Sequence, residues 1–245
     1  MIGIVGGIGS YAGIDLIRKI YDLSGATCDQ DHLPVNMISI PHRIGDRTEY
    51  LLGQLETNPG LAIADIISML AAQGAEVIGI PCNTAHAPPI FDVISNRTPS
   101  NVQLLHMIEE VAAHLVAEHP LVKQVGLLGT TGLLQSRVYP TILQQVGLEV
   151  IEPTTTIQEN DVHAAIYDRS YGIKAFSCPV RKRAREKLTT AAQHLSRKGA
   201  QAIILGCTEV SLAFTENRFE RLPVVDASTV LAAALVRESC REQEN

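Results

Sequence analysis

The chain has 245 residues, 46% of them hydrophobic, only 4% aromatic and none of them Trp. A core of Ile, Leu, Val and Ala at this length suits α/β packing, as one large domain or two small ones, better than an aromatic-rich sandwich. A net charge of −6 argues against nucleic acid as a partner, five cysteines without CxxC or metal-like spacing argue against a disulfide scaffold or a metal site, and no apolar run reaches membrane-spanning length.

The N-terminus, "MIGIVGGIGS", has no basic segment and soon meets Asp15 and Arg18, so it does not read as a signal peptide. A cytoplasmic protein with reduced thiols is the expectation.

Ile2 to Val5 reads as a strand that stops at Gly6, Gly7 and Gly9, and Leu16, Ile20 and Leu23 follow at helical spacing. Val35 to Ile40 is the next strand, ending at Pro41. Asn58-Pro59 opens a helix carrying Leu61, Ile63, Ile66, Ile67 and Leu70, and Gly74 closes it. Val77 to Ile80 is a strand, with a helix expected after Asn83. Met107 to Glu118 is a helix, Val125 to Leu128 a strand, Gln135 to Val146 a helix and Leu148 to Ile151 a strand. Val180 to Arg197 is a long helix, and its basic run "VRKRAREK" reads as a solvated face. Ile203 to Leu205 and Leu222 to Val225 are strands, and Ala227 to Glu238 is the last helix. Strands alternating with helices predict mostly parallel sheets, with sites at the C-terminal strand ends.

The pattern repeats within the chain. "IGIVGGIGS" from Ile2 pairs with "VGLLGTTGL" from Val125, and "GAEVIGIPCNT" from Gly74 pairs without a gap with "GAQAIILGCTE" from Gly199. Cys82 then falls on Cys207. The expectation is two similar, pseudo-symmetric α/β domains, residues 1–100 with 210–245 and residues 101–209, whose strand ends face across an active-site cleft.

A cysteine where a strand meets a helix lies near free backbone N–H groups, which favour a thiolate; Asn83, Thr84 and Thr208 can add hydrogen bonds. Two such groups facing each other suit proton removal from one side of a carbon and proton delivery to the other. The backbone N–H groups at Gly7, Gly9, Thr130 and Thr131 are candidates for holding a carboxylate. Cys28, Cys178 and Cys240 read as inert packing. His86 reads either as a support for the cysteine or as a helix cap or core residue. The "GGIGS" loop, with Ala12 where a third glycine is required, is a poor dinucleotide motif. No nicotinamide fingerprint, pyridoxal-type lysine setting or metal cluster is visible, so no cofactor and no metal are expected.

"PCNTAH" from Pro81 and "GCTEV" from Gly206, with "GIVGGIGS" in front, resemble the aspartate/glutamate racemase superfamily over nearly the whole chain. Glu209 after "CT" resembles the aspartate branch, where glutamate racemases usually carry histidine. The resemblance implies a cofactor-independent, commonly dimeric enzyme in which Cys82 and Cys207 are the acid/base pair. "IPHR" is similar to the segment whose arginine meets the substrate side-chain carboxylate, which implies that role for Arg43, with His42 replacing the usual aspartate. "IYDRSYGIKAF" resembles the segment whose lysine reaches the same group, which implies Lys174. "GTTGLLQSRVY" resembles the carboxylate-binding loop holding Thr130 and Thr131, with Leu133 where threonine is common. Ser10 replaces the usual proline in the first loop and joins the substrate-binding set, as does Glu209. Aspartate is the expected substrate. Glutamate or broad-specificity racemisation, a maleate isomerase or decarboxylase chemistry, and a two-lobed ligand-binding protein are the alternatives.

Overall fold

A computed structural model describes residues 1–214 and 216–241. The chain divides into two compact units, Met1–Glu110 with the chain from Ser228 on, and Val111–Ala227.

The first unit begins with β1 (Ile2–Gly6), buried along its whole length. Helix α1 (Ser10–Leu23) follows from Gly9 and turns Ala12, Leu16 and Ile20 inward. This helix starts earlier than the apolar spacing indicated, because its first turn is exposed or lined by small residues. Strand β2 (Val35–Ser39) and a short helix, α2 (Arg47–Leu51), lead to α3 (Pro59–Ala72). Asn58 caps α3 by accepting from Gly60 N–H at 2.8 Å, and Pro59 takes the first helical position, where no N–H is needed. Strand β3 (Val77–Gly79), α4 (Pro88–Ser95) and the two-residue β4 (Gln103–Leu104) complete this segment, and the boundary to the second unit falls within α5 (Met107–Glu118), after Glu110. The sheet order is β2-β1-β3-β4, all parallel.

The second unit carries β5 (Gln124–Gly129), α6 (Thr131–Ser136), α7 (Val138–Gln145) and β6 (Glu149–Ile151). Then come α8 (Thr155–Ile157), a π-helical stretch (Gln158–His163), α9 (Ala164–Tyr167) and α10 (Lys182–Arg197). Strand β7 (Ala202–Gly206), α11 (Thr208–Ala213), β8 (Arg218–Phe219) and β9 (Leu222–Asp226) close it. The last helix, α12 (Ala227–Arg241), returns to the first unit. Its Leu235 packs so closely on β3 that a Cβ at Gly79 would lie 2.8 Å from the leucine Cδ1. The second sheet has the order β6-β5-β7-β9-β8, parallel except for the β8 edge.

The internal repeat is therefore a repeat of topology: β2-β1-β3 in one unit and β6-β5-β7 in the other. The units divide at different places from those the sequence suggested. Residues 210–227 stay with the second unit because β9 pairs with β7, and residues 101–110 stay with the first because β4 pairs with β3. The helix expected over Gln135 to Val146 is broken at Arg137, whose φ of 57° ends α6 before α7 begins. The helix expected directly after Asn83 is a 3-10 turn (Asn83–His86), and α4 starts only at Pro88. Cys28, Cys178 and Cys240 are exposed rather than packed in the core. Among the described residues no helix is long and apolar enough to cross a membrane.

Candidate functional site

In the first unit the parallel register aligns three loops at one sheet end. Gly6 pairs with Ser39, and Ile4 with Gly79, so the chain after β1, β2 and β3 leaves on the same side. The first loop holds Gly7, Gly9 and Ser10. Gly7 has φ +81°, and a Cβ there would lie 2.9 Å from the backbone nitrogen of Pro41. Only glycine allows both that conformation and that approach. The glycine loop thus packs directly on the Pro41–Arg43 turn.

The third loop holds Cys82, Asn83 and Thr84, all buried. Cys82 belongs to the apolar cluster of Val5, Ile66, Ile78 and Ala85. Arg43 is half exposed and faces Asp65 of α3, with Nη2 to Oδ2 at 3.4 Å. An exposed pair of this length contributes little to stability.

In the second unit Gly129 pairs with Gly206, so Thr130 and Thr131 after β5 are immediate neighbours of Cys207, Thr208 and Glu209 after β7. Thr130 caps α6, its Oγ1 accepting from Leu133 N–H at 3.2 Å. Gln158, at the start of the π-helical stretch, donates from Nε2 to the Gly129 carbonyl at 3.0 Å and to Thr131 Oγ1 at 3.4 Å. Thr131 Oγ1 also meets His163 Nδ1 at 3.3 Å, and His163 stacks on Tyr167 with ring centroids 4.6 Å apart. Lys174 is exposed, with its ammonium 4.5 Å from the Tyr167 ring centre. A continuous chain of contacts therefore joins Lys174 to Thr131. Gln158, His163 and Tyr167 carried no signal in the sequence, because their relevance comes from a π-turn that periodicity does not reveal.

Cys207 is buried, and its sulfur donates to Glu209 Oε2 at 3.1 Å. Thr208 Oγ1 donates to the same oxygen at 3.3 Å. The Cys207 thiol is pushed well above the ordinary thiol range, first by burial and then by the charge and hydrogen bond of Glu209; the positive charge of Lys174 opposes this. The sequence argument anticipated a favoured thiolate here. The structure reverses it for Cys207: α11 is only six residues long, and a carboxylate sits beside the sulfur. Burial and the adjacent carboxylate thus favour the protonated thiol at Cys207.

The residues expected from the sequence to form the site fall into two groups. Gly7, Gly9, Ser10, Arg43, Cys82, Asn83 and Thr84 belong to the first unit; Thr130, Thr131, Lys174, Cys207, Thr208 and Glu209 belong to the second. Among the described residues no three His, Cys, Asp or Glu side chains are grouped so as to hold a metal ion.

Two α/β units of like topology, each with a buried cysteine just past the same strand of its sheet, define a duplicated α/β scaffold. The Asp/Glu/Hydantoin racemase family matches residues 5–235, and the chain belongs to that family. It is 28% identical over 243 residues to the broad specificity amino-acid racemase RacX of Bacillus subtilis (strain 168), covering 96% of each chain. It is 28% identical to the Picrophilus torridus aspartate racemase, with a TM-score of 0.80 over 98% of this chain and 94% of that one. The glutamate racemase isoform RacE1 from Bacillus anthracis shares the fold, with a TM-score of 0.64 at 16% identity over 99% of this chain and 82% of that one.

Proposed function

We propose that the protein is a cofactor-independent amino-acid racemase that uses Cys82 and Cys207 as its two acid/base groups, with aspartate as the foremost substrate. The observation that carries this reading is the equivalent placement of the two buried thiols after β3 and β7, the same strand in each repeat. The family membership and the 28% identical relatives support it.

In one direction the Cys82 thiolate takes the α-proton, leaving a carbanion. The Cys207 thiol then delivers its proton to the opposite face, and the stereocentre is inverted. The enzyme ends with Cys82 protonated and Cys207 ionised, ready for the reverse reaction or for proton exchange with solvent. Glu209, one hydrogen bond from Cys207, is placed to accept the thiol proton when Cys207 must act as the base. Backbone N–H groups at the glycine loop and at Thr130 and Thr131 hold the α-carboxylate and stabilise the charge that develops next to it. Arg43 and Lys174 attract an acidic side chain, and Ser10, Asn83, Thr84 and Thr208 frame it.

Broad specificity is the second reading. The 28% identical broad specificity amino-acid racemase of Bacillus subtilis favours it, and Arg43 and Lys174 have contacts of their own with Asp65 and Tyr167. A chiral assay across the amino acids, with purified protein and no added cofactor, decides between the two. Aspartate turnover well ahead of neutral amino acids supports the first; comparable rates support the second; binding with no change in optical rotation for any amino acid removes both.

A further inference from the structure

The segment that presents Cys82 closes on one carbonyl oxygen. Ile80 O accepts from Cys82 N–H at 2.8 Å, an i to i+2 bond that makes a three-residue turn centred on Pro81. It also receives the His86 imidazole, Nε2 to O at 3.2 Å. A carbonyl can only accept, so Nε2 carries the proton. His86 is fully buried, and its other nitrogen, Nδ1, is buried without a hydrogen-bond partner. A second proton at Nδ1 would place an uncompensated charge in the interior. Burial first, and His106 second, hold the His86 pKa well below the ordinary imidazole range, against the smaller pull of the Ile80 carbonyl.

The ring is fixed from both sides. It stacks on Phe91 with centroids 5.1 Å apart and meets the edge of His106 at 4.8 Å. His106 is anchored in turn, its Nδ1 accepting from Glu109 N–H at 3.3 Å in the first turn of α5. A neutral imidazole with its single N–H spent on a backbone carbonyl has no proton for a substrate. What it controls is the carbonyl two residues before the thiol.

We propose that His86 is a positioning residue for Cys82: its Nε2–H clasps the Ile80 carbonyl, fixes the Ile80–Cys82 turn, and so sets the direction of the Cys82 sulfur. The inference rests on the reading of Cys82 as an acid/base group. It goes beyond that reading by naming the device that aims the thiol.

The test uses His86→Leu, which fills the space without a donor, and His86→Gln, which restores an N–H. Each is incubated in heavy water with D- and with L-aspartate, beside Cys82→Ser and Cys207→Ser, and α-proton exchange is followed by NMR. His86→Leu is expected to slow exchange from the enantiomer that Cys82 serves by about 10- to 100-fold, the scale of a small misplacement of a reacting group. Exchange from the enantiomer that Cys207 serves stays near native, and His86→Gln recovers most of the loss. Equal loss for both enantiomers would mark a merely structural role and overturn the proposal, as would native behaviour of His86→Leu. If that variant does not fold, His86→Asn, whose amide is too short to reach Ile80, takes its place with the same outcomes.

A second readout does not depend on turnover. The iodoacetamide alkylation rate of Cys82, followed by peptide mass spectrometry, should rise several-fold in His86→Leu and return in His86→Gln, while that of Cys207 is unchanged. If the protein racemises nothing, the acid/base reading fails and the alkylation rates still decide the clasp; an unchanged Cys82 rate overturns it.

Discussion

The turn after β3 and the turn after β7 occupy equivalent places in their sheets, yet they hold their cysteines by different means. Cys82 is held through its backbone: its own N–H and the His86 imidazole converge on the Ile80 carbonyl. Cys207 is held through its sulfur, which donates to Glu209 while Thr208 donates to the same oxygen. The chain after Cys82 makes a 3-10 turn before α4, whereas α11 starts directly after Cys207. Duplication thus copied the position of the thiol and not its electrostatics. A carboxylate one hydrogen bond from the sulfur marks the second turn, and a histidine clasp on the backbone marks the first.

The most severe way to break the comparison is to remove one sulfur at a time. Cys82→Ser and Cys207→Ser should each lower racemisation by about 10²- to 10⁴-fold, the usual worth of a positioned acid or base, because a serine hydroxyl is too weak an acid to replace a thiol near neutrality. Chiral chromatography measures the loss. α-Proton exchange in heavy water should survive for one enantiomer in one variant and for the other in its counterpart. Native racemisation by either variant would show that the two turns are not a catalytic pair.

Next in size are the cations, one in each unit. Arg43→Ala and Lys174→Ala should each lower kcat/KM for aspartate by an amount equivalent to about 1.5–3 kcal/mol, the worth of a hydrogen bond to a charged group. Neutral amino acids should be affected much less. If only Lys174→Ala matters, the acidic side chain is read by the second unit, and Arg43 remains the partner of Asp65.

The gentlest test sharpens the electrostatic contrast. Glu209 raises the Cys207 thiol by its charge and by its hydrogen bond. Glu209→Gln removes the charge, so the thiolate should form at lower pH. The alkylation profile of Cys207 should shift to lower pH and its rate near neutrality should rise several-fold, while the Cys82 profile stays in place. An unshifted Cys207 profile would leave burial alone as the cause of its high pKa.

Much of the fold was legible from periodicity. The apolar runs at Ile2, Val35, Val77, Val125 and Ile203 became strands, and the Asn58-Pro59 signal became a capped helix start. What failed was local chemistry that hydropathy does not record. Arg137 adopts a positive φ inside an apparently continuous helical pattern, and the π-turn at Gln158 brings a side chain back to Gly129. The exposure of Cys28, Cys178 and Cys240 likewise depends on which face of each segment meets the core.

The sequence by itself determined the alternation of strands and helices, the duplication, and the matched positions of Cys82 and Cys207, because burial patterns and repeats are properties of neighbours along the chain. Only the tertiary structure decided which unit owns β9, that Asp65 faces Arg43, that Tyr167 lies under Lys174, and that His86 reaches back to Ile80. Those pairings follow from strand register and side-chain direction. A hydrogen bond or ion pair forms only within about 3–4 Å, a distance fixed by how distant segments pack and not by their composition.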